Sequence, residues 1–124
     1  MLKHPDITRR RIDTFLETEL KELIVTDRAP LQVFVNEGLA KDQAEAKKGQ
    51  WVQVEPGYRY GPAYRSLWFR VKGKIPERMR DKAIMIMPGV GGEQTVWHGN
   101  TPYCGIDWGH EAFPWPQEWG NEVD

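Results

Sequence analysis

The chain has 124 residues and a mass of 14.4 kDa, the size of one domain, which excludes a two-domain enzyme within it. Seventeen Lys and Arg against eighteen Asp and Glu give a formal net charge of −1, which argues against nucleic acid or a membrane as a partner. The single cysteine, Cys104, excludes a disulfide framework and multi-cysteine zinc ribbons. Together with the lack of a signal peptide pattern, it predicts a cytoplasmic location.

The chain opens with a predicted amphipathic helix over residues 7–24. Apolar residues recur at offsets of 3, 4, 8, 11 and 12 from Ile12, which is one stripe of a helix. Asp6 and Thr8 are the candidate N-caps. Because there is only one stripe, we expect the helix to pack against another surface. Residues 1–30 are assigned to this helix and a linker.

Residues 31–124 are predicted to form a β-sandwich of short strands. Apolar or alternating segments are separated there by Gly and Pro turns. The strand candidates are residues 31–37, 50–54, 65–75, 82–87, 93–98 and 102–106. A small helix over residues 42–48 precedes the second candidate, since Asp42 and Glu45 have the spacing of a capping box.

Two of these strands allow their faces to be assigned. In the longest candidate, one alternating set is apolar and predicted to face the core, and Trp68 lies on the opposite, polar face. The core set is Leu67, Phe69 and Val71. Residues 83–87 are apolar without alternation, which predicts a central strand covered on one face by a second sheet and on the other by the N-terminal helix.

Glycine and proline positions guide the prediction for residues 99–124. The pair Gly99-Asn100 predicts a two-residue hairpin loop of type II′. The segment after Trp108 has no clear period and contains Pro114 and Pro116, so it is predicted to be extended coil or an edge segment.

Charge is distributed unevenly along the chain. Residues 59–82 hold eight basic and two acidic residues, a local charge of +6. Residues 101–124 hold five acidic residues and neither Lys nor Arg. We expect the two segments to attract each other across the fold or to attract a neighbouring surface.

Several motifs resemble those of a known family. From Tyr60 the sequence reads YGPAYRSLWFRVKGKIP, followed after a spacer by AIMIMPGVGGEQTVWHGNTPYCGID. A GP turn before a WFRV strand that ends in IP, then a VW-x-G hairpin, resembles the N-terminal β-domain of the glycoside hydrolase family 38 α-mannosidases. The opening ITRRRIDTFL and the later DWGHEAFPWP are also similar to segments of that family. The resemblance implies a galactose-binding-like jelly roll.

The resemblance also implies a function. Members are retaining, zinc-dependent enzymes that hydrolyse terminal α-mannose residues, and their zinc and catalytic residues lie in a domain that follows the β-domain. We therefore expect a non-catalytic accessory domain with no catalytic residue or metal ligand of its own. Its expected partner is the catalytic domain of the parent enzyme or another protomer. The alternative is an autonomous carbohydrate-binding module with no hydrolase attached.

The number of predicted strands is low for a jelly roll. A jelly roll has about eight strands, more than the five or six good candidates found here. We therefore expect an incomplete sandwich with an open sheet edge or an exposed apolar patch. A partner chain or the segment after Trp108 would block that edge or patch.

Aromatic side chains are the candidate carbohydrate-binding residues, because a flat ring can stack on the apolar face of a sugar. The candidates are Trp68, Tyr103, Trp108 and Trp115. Burial in the core, or a seam with a neighbouring domain, is the competing interpretation of these rings.

Three other patterns are weaker. A cluster of possible metal ligands matches no standard zinc spacing, so no metal site is predicted; it comprises His98, Cys104, Asp107 and His110. The PGVGG motif at residues 88–92 precedes strand-like sequence rather than a helix, which favours an inter-strand loop over a phosphate loop. Cys104 as a nucleophile would require a histidine beside it.

Overall fold

The computed structural model describes residues 3–62 and 65–124, with backbone alone for residues 21 and 22. The chain is mainly β with a helical segment at its N-terminus, as the sequence predicts. That segment comprises α1 (Pro5–Thr14), a π-helical stretch (Phe15–Leu20) and α2 (Lys21–Ile24), and is called the N-terminal helix below. Within the described residues, no helix has the length and apolar character needed to cross a membrane.

The start of the N-terminal helix differs from the prediction. The helix begins at Pro5, which suits the first helical position because its missing N–H would have no partner there. His4 occupies the N-cap position and makes no side-chain capping bond. Asp6 and Thr8 lie inside the helix instead, and the Thr8 hydroxyl donates to the His4 carbonyl at 3.1 Å. The helix is thus confirmed, but its predicted N-caps are wrong.

The apolar stripe of the helix is not packed against the β-domain. None of the helix side chains that the structure describes is buried. The large apolar side chains that remain exposed are Ile7, Ile12, Phe15, Leu16, Leu23 and Ile24. The stripe therefore adds nothing to the buried core of the described chain.

Eight strands, one further α-helix and two short 3-10 turns, Glu77–Met79 and Gln117–Trp119, follow in the described residues. The strands are β1 (Gln32–Asn36), β2 (Val52–Val54), β3 (Trp68–Lys74), β4 (Ile84–Ile86), β5 (Gln94–His98), β6 (Thr101–Ile106), β7 (Phe113–Trp115) and β8 (Glu122–Val123). They form three antiparallel sheets: a four-stranded sheet in the order β2-β1-β3-β8, and the pairs β4-β7 and β5-β6.

Local turn chemistry explains two connections. Helix α3 (Gln43–Lys48) joins β1 to β2, and the Asp42 carboxylate accepts from the Glu45 N–H at 2.9 Å, which confirms the predicted cap. Gly99-Asn100 connects β5 to β6 with Gly99 at a φ of +61°, a left-handed conformation that glycine adopts without strain. Both features are fixed by residues close in sequence.

Strand β4 contradicts the prediction for residues 83–87. Ile86 is buried and Ile84 half-buried, whereas Met85 and Met87 are 57% and 64% exposed. The strand therefore has one covered face, and the N-terminal helix does not cover the other. The pleat imposes alternate burial even on an uninterrupted apolar run, because nothing in the described chain packs on the methionine side.

The buried core lies where the three sheets meet. Its members come from β4, β6, β7 and β8 and from the residue after β3; they are Ile75, Ile86, Ile106, Phe113, Trp115 and Val123. On the predicted core face of β3, Val71 packs against this cluster, while Phe69 is half-buried and meets the ring of Tyr60 edge-on at 5.3 Å. The face assignment for β3 is therefore confirmed at Val71.

The segment after Trp108 supplies two strands. In β7, Pro114 lies opposite Met85 of β4, and a proline is tolerated there because β7 is an edge strand. Strand β8 pairs with the end of β3, with Glu122 opposite Lys74. The segment after Trp108 thus adds an edge strand to each of two sheets, which agrees with its prediction as an edge segment.

Ion pairs join the basic and acidic segments. Arg70 donates to both carboxylate oxygens of Asp124, with the Nη2–Oδ2 bond at 2.6 Å, and Lys72 lies 3.5 Å from the same carboxylate. Lys74 pairs with Glu122 at 3.2 Å. The expected attraction between the two segments is therefore confirmed across β3 and β8.

Candidate functional site

Trp115 lies in the core rather than on the surface. Its side chain is 7% exposed, and its indole N–H donates to the Gly120 carbonyl at 2.8 Å. The rings of Trp119 and His98 meet it edge-on, with centroids 5.0 and 5.8 Å away. A ring enclosed in this way offers no face to a sugar, so the expectation of a stacking platform at Trp115 is corrected.

An aromatic cluster surrounds Trp115, and sequence reasoning missed part of it. A 3-10 turn (Gln117–Trp119) places the indole of Trp119 against the imidazole of His98, with centroids 3.7 Å apart and planes within 8°. Tyr103 meets Trp119 edge-on at 4.7 Å. Only the crowding of aromatic and Pro residues after Trp108 hinted at this packing. The contact assigns His98 to the aromatic cluster.

Tyr103 is the half-open member of the cluster. Its side chain is 39% exposed, and its ring also approaches Phe113 edge-on at 6.2 Å. The hydroxyl donates to the Pro114 carbonyl at 3.4 Å, a long hydrogen bond. Because Phe113 of β7 and Trp119 of the 3-10 turn both contact the ring, the part of Tyr103 that stays exposed has a defined orientation.

Trp108 projects from a tight turn and is 79% exposed. Asp107 and His110 close the turn with reciprocal backbone hydrogen bonds of 3.2 and 3.1 Å. The Asp107 carboxylate accepts the Gly109 and His110 N–H groups at 2.8 Å each and lies 3.2 Å from the His110 imidazole. These hydrogen bonds, led by that from Gly109, lower the pKa of Asp107. The turn thus fixes the backbone beside Trp108, whose indole is largely exposed.

Trp68 and Trp97 form a second aromatic pair. Trp68 is half-buried, and its indole N–H donates to the Ala40 carbonyl at 3.2 Å. The Trp97 ring lies 6.2 Å away at a tilt of 50° and is 37% exposed. The pair therefore connects the four-stranded sheet to the β5-β6 hairpin, and part of each ring contributes to packing.

A cleft of about 360 Å³ opens beside the four-stranded sheet. Its walls combine two tyrosines with amide and carboxylate side chains; they include Gln32, Gln53, Glu55, Tyr58, Tyr60 and Phe69. The Tyr60 hydroxyl donates to the Gly91 carbonyl at 3.0 Å, and the Tyr58 hydroxyl donates to the Glu37 carboxylate. That hydrogen bond raises the pKa of Tyr58. None of the four predicted aromatic candidates is among the lining residues.

The possible metal and nucleophile residues have structural surroundings. Cys104 is half-buried against the core, and burial raises the pKa of its thiol, which disfavours the reactive thiolate. Asp107 and His110 are paired within their turn. In the described residues, no three His, Cys, Asp or Glu side chains are arranged to hold a metal ion. Residues 88–92 lead into β5, as the inter-strand loop prediction requires.

Comparison with known families gives one match. A protein-family model described as "Alpha-mannosidase, jelly roll domain" matches residues 23–121. The matched segment contains strands β1 to β7 and helix α3, and it leaves out α1 and the π-helical stretch. Neither the curated proteins nor the solved structures contain a significant match to the chain.

Proposed function

Because the chain belongs to the alpha-mannosidase jelly roll domain family, we propose that it is a non-catalytic accessory domain of a retaining, zinc-dependent α-mannosidase. The family match over residues 23–121 is the observation that carries this proposal. The parent enzyme hydrolyses terminal α-mannose residues, and its catalytic domain holds the zinc ion and the catalytic carboxylates. The single unpaired Cys104 supports a cytoplasmic location for that enzyme.

The lining of the cleft beside the four-stranded sheet supports a non-catalytic role. Retaining hydrolysis requires two carboxyl groups about 5–5.5 Å apart on either side of the sugar. Among the described residues that line the cleft, Glu55 is the one carboxylate. Glu37, Asp107 and Asp124 each accept hydrogen bonds that hold a loop, a turn or a sheet edge in place.

Exposed apolar side chains support docking on a larger protein. Met85 on β4 and Met87 just after it are exposed, and so is Trp108 in its turn. Large exposed apolar and aromatic side chains are typical of interface cores. We assign these three residues to the surface that contacts the catalytic domain.

Reading the gene past the codon for Asp124 and expressing its full product tests the proposal. We expect the full product to hydrolyse p-nitrophenyl α-mannoside and the purified residues 1–124 to be inactive with or without added zinc. Turnover by the 124-residue chain itself, or a reading frame without a hydrolase region in a strain that lacks a separate partner enzyme, would overturn it.

The docking surface has its own test. Met85→Asp with Met87→Asp should lower the thermal midpoint of the full enzyme but leave that of residues 1–124 unchanged, since both side chains are already exposed. Thr95→Asp with Thr101→Asp is the matched control, because both threonines are exposed on the β5-β6 pair. Equal effects of the two double variants on the full enzyme would exclude these methionines from the interface.

The autonomous carbohydrate-binding module remains the second candidate, favoured by the exposed indole of Trp108. Isothermal titration calorimetry with methyl α-mannoside as the ligand tests this second candidate. Measurable affinity that is lost in Trp108→Ala, Trp68→Ala or Tyr103→Ala would support sugar stacking at that ring. Affinity that stays unchanged in all three variants would exclude stacking on these residues and direct attention to the cleft.

A further inference from the structure

The cleft beside the four-stranded sheet has no part in the proposed accessory role. Its volume of about 360 Å³ lies at the lower end of the range for small-molecule sites, about 300–1,000 Å³. Its lining comes from four separate segments: the start of β1, the end of β2 with the turn after it, β3, and the loop before β5. The fold thus builds a recess large enough for a small ligand.

The floor of this cleft is apolar. Val33 of β1 pairs with Val54 of β2, and Phe69 of β3 pairs with Val35. Paired residues point to the same face of a sheet, and so do residues two apart on a strand, so Val33, Val54 and Phe69 share one face. Val71 on that face packs against the core. Since Val33, Val54 and Phe69 are half-buried, part of their apolar surface is open to the cleft.

Two tyrosines form one wall of the cleft. Tyr58 and Tyr60 are each 40% exposed and line the cleft, whereas Arg59 between them does not. A turn holds the start of this segment, because the Tyr58 N–H donates to the Glu55 carbonyl at 3.0 Å. The Tyr60 ring is held by its edge-on contact with Phe69, at a centroid distance of 5.3 Å. The cleft therefore presents aromatic surface that is oriented before any ligand binds.

The hydroxyl protons of both tyrosines are used within the protein. Tyr60 donates to the Gly91 carbonyl at 3.0 Å, and Tyr58 donates to the Glu37 carboxylate. A tyrosine hydroxyl has a single proton, and its oxygen can still accept a hydrogen bond. Together with the carboxylate of Glu55, the tyrosine oxygens offer acceptors to a ligand that brings its own donors.

Charge and hydrogen-bond polarity disfavour other classes of ligand. No Lys, Arg or His lies among the described residues that line the cleft, so a phosphate or another anion would have no cation to pair with there. Proline-rich peptides also dock on aromatic grooves, but their backbone presents mainly carbonyl acceptors, which need donors from the protein. A neutral ligand that has an apolar face and carries hydroxyl donors fits the cleft better.

We propose that this cleft binds one pyranose ring of a neutral saccharide. The C–H face of the sugar stacks on the exposed parts of Tyr58 and Tyr60, next to the apolar floor. The sugar hydroxyls donate to the tyrosine oxygens and to the Glu55 carboxylate. This inference extends the carbohydrate-binding candidate to a new site, and it holds whether or not a hydrolase is attached.

Amide NMR spectra of the ¹⁵N-labelled 124-residue chain test the site. The probes are methyl α-mannoside, methyl β-glucoside and methyl β-galactoside. At least one should shift the amides of residues 54–60 and 89–91, with a Kd of about 1 mM, the affinity expected for a ligand of this size. No shift of these amides with any of the three glycosides at about 50 mM would overturn the proposal. Shifts confined to Gly109 and His110 would place the sugar at Trp108 and overturn it as well.

Variants of Tyr58 test the stacking. Tyr58→Ala should raise the Kd by about tenfold, and Tyr58→Phe, which keeps the ring, should stay within about threefold. Tyr103→Ala is the matched control, because Tyr103 is 39% exposed and lies outside the lining of the cleft. An unchanged Kd in Tyr58→Ala, or an equal rise in Tyr103→Ala, would refute stacking in the cleft. The thermal midpoint of each variant separates the loss of a contact from the loss of the fold.

Glu55→Gln tests the hydrogen bonds with little change in packing, because Glu55 is exposed. It should raise the Kd by about tenfold, since a carboxylate accepts stronger hydrogen bonds than an amide. Glu111→Gln is the matched control, an exposed carboxylate outside the cleft, and it should leave the Kd unchanged. If both glutamate variants bind with the Kd of the parent chain, Glu55 does not accept from the sugar and the proposed arrangement is wrong.

Three further titrations separate a saccharide from other occupants. Choline tests binding of a cation by the rings, and a short polyproline peptide tests peptide docking. Either one shifting the cleft amides while no glycoside does so would overturn the proposal. Glycerol has hydroxyls but no ring face, so its Kd should be at least about tenfold higher than that of the best glycoside, and an equal Kd would refute stacking. Hydrolysis by the full gene product tests the accessory role separately, so each proposal can fail without the other.

Discussion

Replacing Asn36 by alanine should destabilise the β-domain by removing a buried polar junction. Asn36 is 3% exposed at the end of β1. Its amide Nδ2 donates to the Ala46 carbonyl of α3 at 2.9 Å, and its Oδ1 accepts the Gly38 N–H at 2.8 Å. One side chain therefore holds the strand, the loop after it and the helix together.

The expected loss of stability depends on which hydrogen bonds the Ala46 carbonyl and the Gly38 N–H can still form without Asn36. The Ala46 carbonyl keeps a second hydrogen bond, from the Gly49 N–H at 3.1 Å, and Gly38 is exposed, so water can replace the lost acceptor. Neither group is left fully unsatisfied. Two net hydrogen bonds of about 1 kcal/mol each, with the lost packing, give a destabilisation of about 2–3 kcal/mol for Asn36→Ala.

Urea unfolding followed by tryptophan fluorescence measures this loss. At an m-value of about 2 kcal/mol/M, the midpoint should fall by about 1–1.5 M with the m-value unchanged. Gln32→Ala is the control on the same strand, and because Gln32 is exposed its cost should stay within about 0.5 kcal/mol. A midpoint for Asn36→Ala equal to that of the control would refute the junction.

Asn36→Asp separates hydrogen bonding from side-chain size. The introduced carboxylate would face the Ala46 carbonyl oxygen, so a donor is replaced by a buried charge. Burial should raise the folded-state pKa of this carboxyl above its unfolded value. The variant should therefore regain stability as the pH falls below that folded pKa, when the protonated group can donate. A pH-independent loss would contradict this reasoning.

Three further predictions concern the core, the sheet edge and the hairpin. Trp115→Ala should cost about 3–5 kcal/mol in urea unfolding, whereas Trp108→Ala should stay within about 0.5 kcal/mol because its ring is exposed. The hydrogen bond and charge of Arg70 lower the pKa of Asp124, so their pair stabilises the fold above the unfolded pKa of about 3.9. With both side chains 44% exposed, Asp124→Asn should cost less than about 1 kcal/mol at pH 7, and the difference in thermal midpoint should vanish as the pH falls through the lowered pKa. Gly99→Val should cost about 1–2 kcal/mol at its positive φ and Gly99→Asn less, as measured by thermal unfolding.

Elements fixed by nearby residues could be predicted from the sequence. The Asp42 cap of α3 and the Gly99 turn each depend on groups within a few positions, and both have the expected geometry. The N-terminal helix was predicted for the same reason, from the spacing of its apolar residues. Its uncovered stripe could not be predicted, because periodicity identifies an apolar face without identifying what packs on it.

Elements that depend on distant contacts were left open or misplaced. Pro114 and Pro116 predicted extended coil or an edge segment, and the pairing with β4 decides for an edge strand at β7. The run that contains Met85 and Met87 looked buried because apolar composition does not reveal which face is covered.

The candidate site shows the same limit. Trp108 is exposed at a turn that Asp107 and His110 close, whereas the burial of Trp115 depends on the Gly120 carbonyl and on the rings of His98 and Trp119. The cleft beside Tyr58 and Tyr60 combines segments that the sequence gives no reason to bring together.

The short sheet edges bear on how this domain associates. Strand β8 has two residues with ion pairs from Glu122, and from Asp124 just beyond it, and β2 has three residues. Short, charged edges are poor templates for adding a strand from another chain. The edges of the four-stranded sheet are therefore poor docking sites, which favours the exposed side chains of Met85 and Met87 as a contact surface. Aspartate at Met85 should therefore impair docking on the hydrolase without changing the urea midpoint of residues 1–124, because this side chain is already exposed.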